Sequence, residues 1–269
     1  VVEKILAFQK RGGIVIGDPN LTPAIKADIV LPKFVRSKRT QEDQKTILQH
    51  AAQLKSALAG RYEWYSQCTT PEIVTRTRSA GNSDYVFVVN DRREFGTYVG
   101  QHGLVMEDGL PAKGSLTLLR DGGHVYDLQA NREILAQNTE HKVSWPVQLG
   151  PCEGRVFLVT PTPIAAVKIT GAESTPAGKP LELLVSVLDS KSKPIPAVIP
   201  LEVKITDPAG RVAEFSGYYG ADQGQLPLKL DIAGNDRPGM WKVHVRELAA
   251  GQTGVSYFRV QNTAESNAK

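Results

Sequence analysis

The sequence predicts a mainly β protein: two β-sandwich-type modules preceded by a short αβ segment and a linking helix. Three observations predict it. Short apolar runs bounded by Gly, Pro, Asn and Asp recur from about residue 61 to residue 262. Helical periodicity is confined to two stretches upstream of these runs. The chain has 269 residues, and domains usually run to roughly 100–150, so more than one core is expected. The resulting organisation is a partial α/β segment over 1–34, a linking helix over 35–60, an antiparallel β domain over 61–162, a second sandwich over 163–262 and a disordered tail over 263–269.

In the first segment Val1, Val2, Ile5, Leu6 and Phe8 fall on one side of a helix, and Gly12-Gly13 supplies a stop suited to a left-handed cap. Ile14-Val15-Ile16 then reads as a short, fully buried strand, which makes an αβ unit of a parallel sheet. Such a strand needs more neighbours than this segment supplies. The expectation is therefore that the remainder of the α/β domain lies upstream, and Val1 in place of Met reads as the start of a processed or excised product. In the second segment Ile47, Leu48, Ala51, Leu54 and Leu58 recur at helical spacing after Thr40-x-x-Asp43, which resembles a capping box, and Gly60 closes the helix. That helix is expected to pack as a strut.

From residue 61 the period changes to two. Tyr85 to Val89 is a strand ending at Asn90-Asp91, and Ser115 to Leu119 and His124 to Leu128 flank Arg120-Asp121-Gly122-Gly123, a tight-hairpin signal. Val143 to Leu149 and Arg155 to Thr160 follow, around Gly150-Pro151-Cys152-Glu153-Gly154. After Pro161-Thr162-Pro163 come seven runs: Val167–Thr170, Leu181–Leu188, Leu201–Ile205, Ala213–Tyr218, Gln225–Ile232, Met240–Leu248 and Gly254–Val260. Shared parity predicts a core of Val185, Val187, Val203, Ile205, Leu228, Leu230, Trp241, Val243, Val245, Phe258 and Val260.

The composition narrows the function classes. A hydrophobic share of 41% against 22% charged is enough to fold most of the chain. The net charge of +4 comes mainly from Lys33, Arg36, Lys38, Arg39, Lys45 and Lys55, which run into Gln41, Glu42 and Asp43 without interleaved aromatics, so no nucleic-acid partner is expected. No apolar run reaches the length of a membrane span, and no signal-peptide pattern opens the chain.

Catalytic signatures are missing. Glu107-Asp108 and Asp121 sit in turn contexts that favour Asp for backbone hydrogen bonding. There is no Gly-x-Ser-x-Gly, and Gly12-Gly13 is not a phosphate-binding loop. His102 and His124 lie in turn regions without partners at ligand spacing, so no metal, no cofactor and no catalytic residue is assigned. Cys68 and Cys152 are expected in the same module, with a bond between them left open. Carbohydrate binding needs exposed aromatic faces. The candidates are Tyr62, Trp64 and Tyr65, of which alternation turns one of the last two inward, followed by Tyr218 and Tyr219. Trp241 is read as core.

Two stretches carry a resemblance. Val1 to Asp18 resembles the late part of the class I glutamine amidotransferase-like domain found beside glycoside hydrolase barrels of the β-galactosidase type. Asp84-Tyr85-Val86-Phe87-Val88-Val89-Asn90, Val125-Tyr126-Asp127-Leu128 and Pro151-Cys152-Glu153-Gly154-Arg155-Val156-Phe157-Leu158-Val159 are similar to the C-terminal antiparallel β domain of those hydrolases, although Cys152 stands where that pattern more often has Gly. Gly239-Met240-Trp241-Lys242-Val243-His244-Val245 with Phe258-Arg259-Val260 resembles a bacterial immunoglobulin-like or macroglobulin-type sandwich. The resemblance implies a non-catalytic accessory unit of a larger extracellular or periplasmic carbohydrate-active protein, with upstream domains as its partners. The alternatives are a polysaccharide- or cell-surface-binding module and part of an active hydrolase unit.

Overall fold

A computed structural model describes residues 1–20, 24–37, 39–95, 99–100, 103–104 and 107–262. Contacts divide the chain into two compact units, Val1–Trp64 and Tyr65–Lys269.

In the first unit, helix α1 (Val2–Lys10) stops where Gly12 takes φ +90°, and the Phe8 ring lies over Gly13, where a Cβ would displace it. α1 buries none of its residues. Strand β1 is Ile16–Gly17 rather than 14–16, and it pairs in parallel with β2 (Ile29–Val30), a strand the periodicity did not mark. Ile16 is 38% exposed, so the expectation of a fully buried strand is corrected: among the described residues β1 has one partner strand, which leaves its far side open. Asp28 fastens the unit by accepting from Gln9 Nε2 (2.9 Å) and from the Val15 amide (2.8 Å), and these bonds lower its pKa.

Helix α2 (Thr40–Leu58) begins on Arg39, which makes no side-chain cap bond. The capping-box reading is corrected, since Asp43 reaches back to the Ser37 amide (2.7 Å) and the Arg39 amide donates to Ser37 Oγ (3.1 Å). Gly60 at φ +74° follows the last turn, as its residue type suggests. Ile47 and Leu48 on the apolar stripe are exposed.

The second unit contains two sandwiches. The first is built from β3 (Ser66–Cys68), β4 (Ile73–Ala80), β5 (Ser83–Asn90), β6 (Arg93–Phe95), β7 (Val99–Gly100), β8 (Gly103–Leu104), β9 (Glu107–Gly109), β10 (Ala112–Leu119), β11 (His124–Asp127), β12 (Arg132–Ile134), β13 (Gln137–Thr139), β14 (Lys142–Leu149) and β15 (Gly154–Thr160). One sheet has the order β13-β14-β10-β3 and the other β12-β11-β15-β5-β4, while β6-β9 and β7-β8 are separate ribbons. Between the sheets lie Val86, Val88, Leu116, Leu118, Val143, Trp145, Phe157 and Val159, with Trp145 edge-on to Phe157 at 5.7 Å.

The expected hairpin at Arg120–Gly123 is a crossover: β10 pairs with β14 and β3, whereas β11 pairs with β12 and β15 in the facing sheet. Arg120 explains the difference. Its guanidinium donates to Asp84 Oδ2 (2.6 Å), to the Val159 carbonyl (3.3 Å) and to the Asn82 carbonyl (3.2 Å), so the loop is tied into the far sheet. A side chain at Gly123 would strike Val159 Cγ1 at 2.7 Å, which fixes glycine at this close approach.

The second sandwich comprises β16 (Ala166–Gly171), β17 (Ser174–Pro176), β18 (Pro180–Leu188), β19 (Ile199–Thr206), β20 (Gly217–Ala221), β21 (Gln225–Asp231), β22 (Gly239–Glu247) and β23 (Thr253–Gln261). Its sheets are β16-β18-β21 and β17-β23-β22-β19-β20, with β17 and β23 parallel and every other pair antiparallel. All of the residues expected in its core are buried, and Trp241 stacks on Phe258 at 5.7 Å while its indole N–H donates to the Arg237 carbonyl (3.0 Å). Two details are corrected. β17 was not anticipated, and the strand expected at 213–218 lies at 217–221, because Ser216 turns its hydroxyl to the Ile205 amide (2.9 Å) instead of extending the ladder.

Candidate functional site

The aromatic candidates are dispersed. Within the first unit Tyr62 and Trp64 meet edge to face at 5.1 Å, and both are exposed. Tyr65, in the second unit, is also exposed, so the expectation that alternation turns Trp64 or Tyr65 inward is corrected: no strand runs through them and β3 begins at Ser66. The Tyr65 hydroxyl donates to Asp84 Oδ1 (2.9 Å), and burial followed by the Asp84 hydrogen bond raises its pKa. Tyr218 is 77% exposed, but the neighbouring Tyr219 packs on the core and donates its hydroxyl to the Phe215 carbonyl (2.7 Å). Tyr62, Trp64 and Tyr218 therefore present accessible rings, and the hydroxyls of Tyr65 and Tyr219 are committed.

A cleft of about 650 Å³ opens in the first sandwich, lined among others by Asp127, Arg132, Glu133, Glu153, Arg155 and Phe157. It is the strongest place to test for a carboxylate pair, and its three carboxylates, Asp127, Glu133 and Glu153, are already used. Asp127 is buried; its Oδ1 accepts from the amides of Gln129 (2.9 Å) and Ala130 (3.1 Å), and Oδ2 faces Arg155 Nη1 at 3.3 Å. Glu153 accepts from the Gly150 amide (2.6 Å) and from Arg155 Nε (2.7 Å). These bonds, that of Gly150 first, lower the Glu153 pKa. A glycosidase acid requires a raised pKa and a free oxygen facing the substrate. The arrangement here clamps the corners 127–131 and 150–155 together, which is loop anchoring.

The other titratable candidates are likewise paired or remote. Asp121 bonds His141, and His124 Nδ1 lies 2.7 Å from Glu133 Oε1. Asp108 is in β9, on the β6-β9 ribbon, and His102 lies outside the described residues. Among the described residues no group of three or more His, Cys, Asp or Glu side chains converges as metal ligands would. Cys68 and Cys152 share the first sandwich and are free thiols, so the pairing left open does not form. Cys152 stands at φ +55°, in the corner of the Glu153 clamp.

A feature not extracted from the sequence is a buried joint between the two sandwiches. Tyr126, Leu158 and Tyr85 stand opposite one another on β11, β15 and β5, forming a row on the outer face of the sheet. Tyr126 and Leu158 are fully buried and belong to the core of the second sandwich, not to their own. The Tyr126 hydroxyl accepts from the Ile164 amide (2.8 Å), and the Tyr85 hydroxyl donates to the Val198 carbonyl (3.0 Å). Burial pushes both phenols up to about 12. Asn131 completes the joint: it donates to the Leu248 carbonyl (2.7 Å) and accepts from Arg246. The available signal was Phe157-Leu158-Val159, an apolar run without alternation and hence a strand covered on both faces.

No protein-family model matches the sequence, and no curated protein sequence does. Similar solved structures include the Yersinia pseudotuberculosis adhesin InvE (10% identity, 72% of this chain and 60% of that chain, TM-score 0.31). They also include the PKD domain of the human VPS10 domain-containing receptor SorCS2 (17% identity, 39% and 78%, TM-score 0.25). A glycosyl hydrolase family 2 member from Bacteroides cellulosilyticus is similar at 12% identity over 68% of this chain and 27% of that chain, TM-score 0.24. The chain thus spans less than two thirds of the adhesin and of the hydrolase, and its likeness to all three is a weak one between β-sandwich chains.

Proposed function

We propose that the chain is a non-catalytic accessory unit of a larger exported, carbohydrate-active protein, in which two joined sandwiches set the spacing and direction of neighbouring domains. The observation that carries this reading is the Tyr126-Leu158-Tyr85 row, which converts two sandwiches into one compact unit. A flexible tether would leave that row in water. The committed state of Asp127 and Glu153 supports the same reading, because the carboxylate-lined cleft in the first sandwich holds its own corners. In this reading residues 163–262 form an immunoglobulin-like module of the macroglobulin type, residues 61–162 a hydrolase-associated β domain, and residues 1–34 part of an amidotransferase-like domain. The setting is extracellular or periplasmic.

The test is a panel of chromogenic glycosides and a glutaminase assay with the full chain. Background rates are expected, and turnover abolished by Asp127→Asn or Glu153→Gln would overturn the proposal in favour of a hydrolase unit. A second reading, polysaccharide or cell-surface binding, is favoured by the exposed Tyr62–Trp64 pair, with Tyr65, Tyr218 and Tyr219 as the further candidates. Retention on a neutral glucan or xylan gel that Trp64→Ala removes would support it.

A further inference from the structure

We infer that the outer face of the five-stranded sheet in the second sandwich binds an acidic polysaccharide, a sugar chain carrying carboxylate or sulfate groups. This deepens the carbohydrate-associated reading above and names the ligand class and the surface. Inward-facing Val203, Ile205, Trp241, Val243, Val245, Phe258 and Val260 are all buried, so strand alternation sends their neighbours to the opposite face. β19 contributes Glu202, Lys204 and Thr206; β22 contributes Met240, Lys242, His244 and Arg246; β23 contributes Val255, Tyr257 and Arg259. The register sets Thr206 beside Lys242 and Lys242 beside Tyr257, then Lys204 beside His244 and His244 beside Val255.

The charge on this face is one-sided. Lys204, Lys242, Arg246 and Arg259 stand against Glu202, and among the described residues Lys204, Lys242 and Arg259 have no carboxylate partner. The opposite sheet is balanced: Glu182 stands across from Lys229, which also pairs with Asp231 at 3.4 Å. Like cations crowded on a sheet repel, so an unneutralised row is costly unless an anion covers it. The face is also indented. A hollow of about 370 Å³ is lined entirely by Glu202, Lys204, Thr206, Lys242, His244 and Arg246, while Met240, Tyr257 and Arg259 also border a second hollow of about 680 Å³ at the sheet edge, shared with Glu173 and with Ile169 and Leu183 of the facing sheet. The outward side chains of β22 run from Met240 to Arg246, ~20 Å at the rise of a strand, which is a track for a chain and not a socket for a single small anion.

Tyr257 selects the class of polyanion. It is 55% exposed between Lys242 and the aliphatic Val255 and Met240, offering one apolar face on which a sugar ring packs while its acid group meets the cations. A single-stranded nucleic acid would call for successive aromatics, one for each stacked base, whereas the two on this face, Tyr257 on β23 and Tyr218 on β20 beside Glu202, stand on strands separated by β22 and β19.

Affinity electrophoresis and calorimetry with the full chain test this, using polygalacturonate for carboxylate, dextran sulfate for sulfate, plain dextran as the neutral control and oligothymidylate as the other polyanion. Binding to at least one acidic polysaccharide is expected, weakening with salt and absent with dextran. Lys204→Glu/Lys242→Glu should weaken it by about tenfold or more, and Lys229→Glu on the opposite sheet should not. If the double reversal fails to fold, Lys204→Gln/Lys242→Gln serves, with a threefold or greater loss expected, roughly what removing two exposed cations produces. Tyr257→Ala should weaken polysaccharide binding and leave any oligothymidylate binding unchanged. No retention by either acidic polysaccharide at low salt, retention indifferent to the lysine variants, or oligothymidylate binding equally tight and equally sensitive to Tyr257→Ala would overturn the proposal. Those failures would leave the accessory reading standing, since it depends on the glycoside panel and on the joint.

Discussion

Tyr126→Phe isolates the hydrogen bond at the joint from its packing. The substitution keeps the ring that fills the space between the sandwiches and removes only the hydroxyl that accepts from the Ile164 amide at 2.8 Å. Ile164 is 7% exposed and Tyr126 is fully buried, so water cannot replace the lost acceptor without opening the joint. An orphaned buried donor costs about 1–3 kcal/mol. For a unit of roughly 150–250 residues each kcal/mol lowers the melting temperature by about 2–4 °C, which gives an expected fall of about 2–12 °C. Differential scanning calorimetry of the full chain reads it, with Tyr218→Phe as the control because Tyr218 is 77% exposed. The control should move by less than about 0.5 kcal/mol. If Tyr126→Phe melted within about 1 °C of the parent, the bond to the Ile164 amide would carry no energetic weight, and the reasoning that water cannot replace it in a closed joint would be refuted.

Three further outcomes follow from the same geometry. Trp241→Ala, which removes a ring stacked on Phe258 and an indole bonded to the Arg237 carbonyl, should cost about 3–5 kcal/mol in a denaturant titration. Spectrophotometric titration of the 8 tyrosines should include a phase near 12 for Tyr85 and Tyr126, above the ordinary phenol value of about 10. Because their folded pKa values lie above the unfolded value, the stability they contribute is complete below about pH 10 and is lost as pH rises towards 12; Tyr85→Phe and Tyr126→Phe should flatten that loss, and an unchanged alkaline profile would count against the assignment. Cys152→Gly should raise stability by about 1 kcal/mol, because Cys152 occupies the left-handed region at φ +55°, where a β-carbon is costly; a melting temperature lowered by the change would mean that the thiol's packing outweighs the backbone strain.

Much of the fold was legible in the sequence because a sandwich strand has one wet face. Val203 and Ile205, or Trp241, Val243 and Val245, alternate with polar residues, and parity alone assigns them to the interior. What parity does not encode is which strand a given strand pairs with. Arg120–Gly123 has the composition of a tight turn, yet the guanidinium of Arg120 carries the chain into the facing sheet, and only the position of Asp84 makes that evident. The same limit applies to the joint: the partners of Leu158 belong to the second sandwich, beyond the Pro161-Thr162-Pro163 punctuation, and periodicity does not name them. The aromatic candidates failed to resolve for a different reason. Trp64 and Tyr65 precede the first strand, so alternation did not apply to them, and the hydroxyl of Tyr65 was claimed by a buried aspartate. The basic track escaped notice because Lys204, Lys242 and Arg259 are widely spaced in sequence and become neighbours only through the register of β19, β22 and β23.

The central claim is that the two sandwiches move as one body. Residual dipolar couplings measured on the full chain, and fitted separately to the backbone amides of β3–β15 and of β16–β23, test it most directly. A single alignment tensor, equal in magnitude and orientation for both sets, is the predicted result, and Tyr126→Ala with Asn131→Ala should split it. Two tensors of different magnitude in the unaltered chain would show that the sandwiches reorient independently, and would contradict the account.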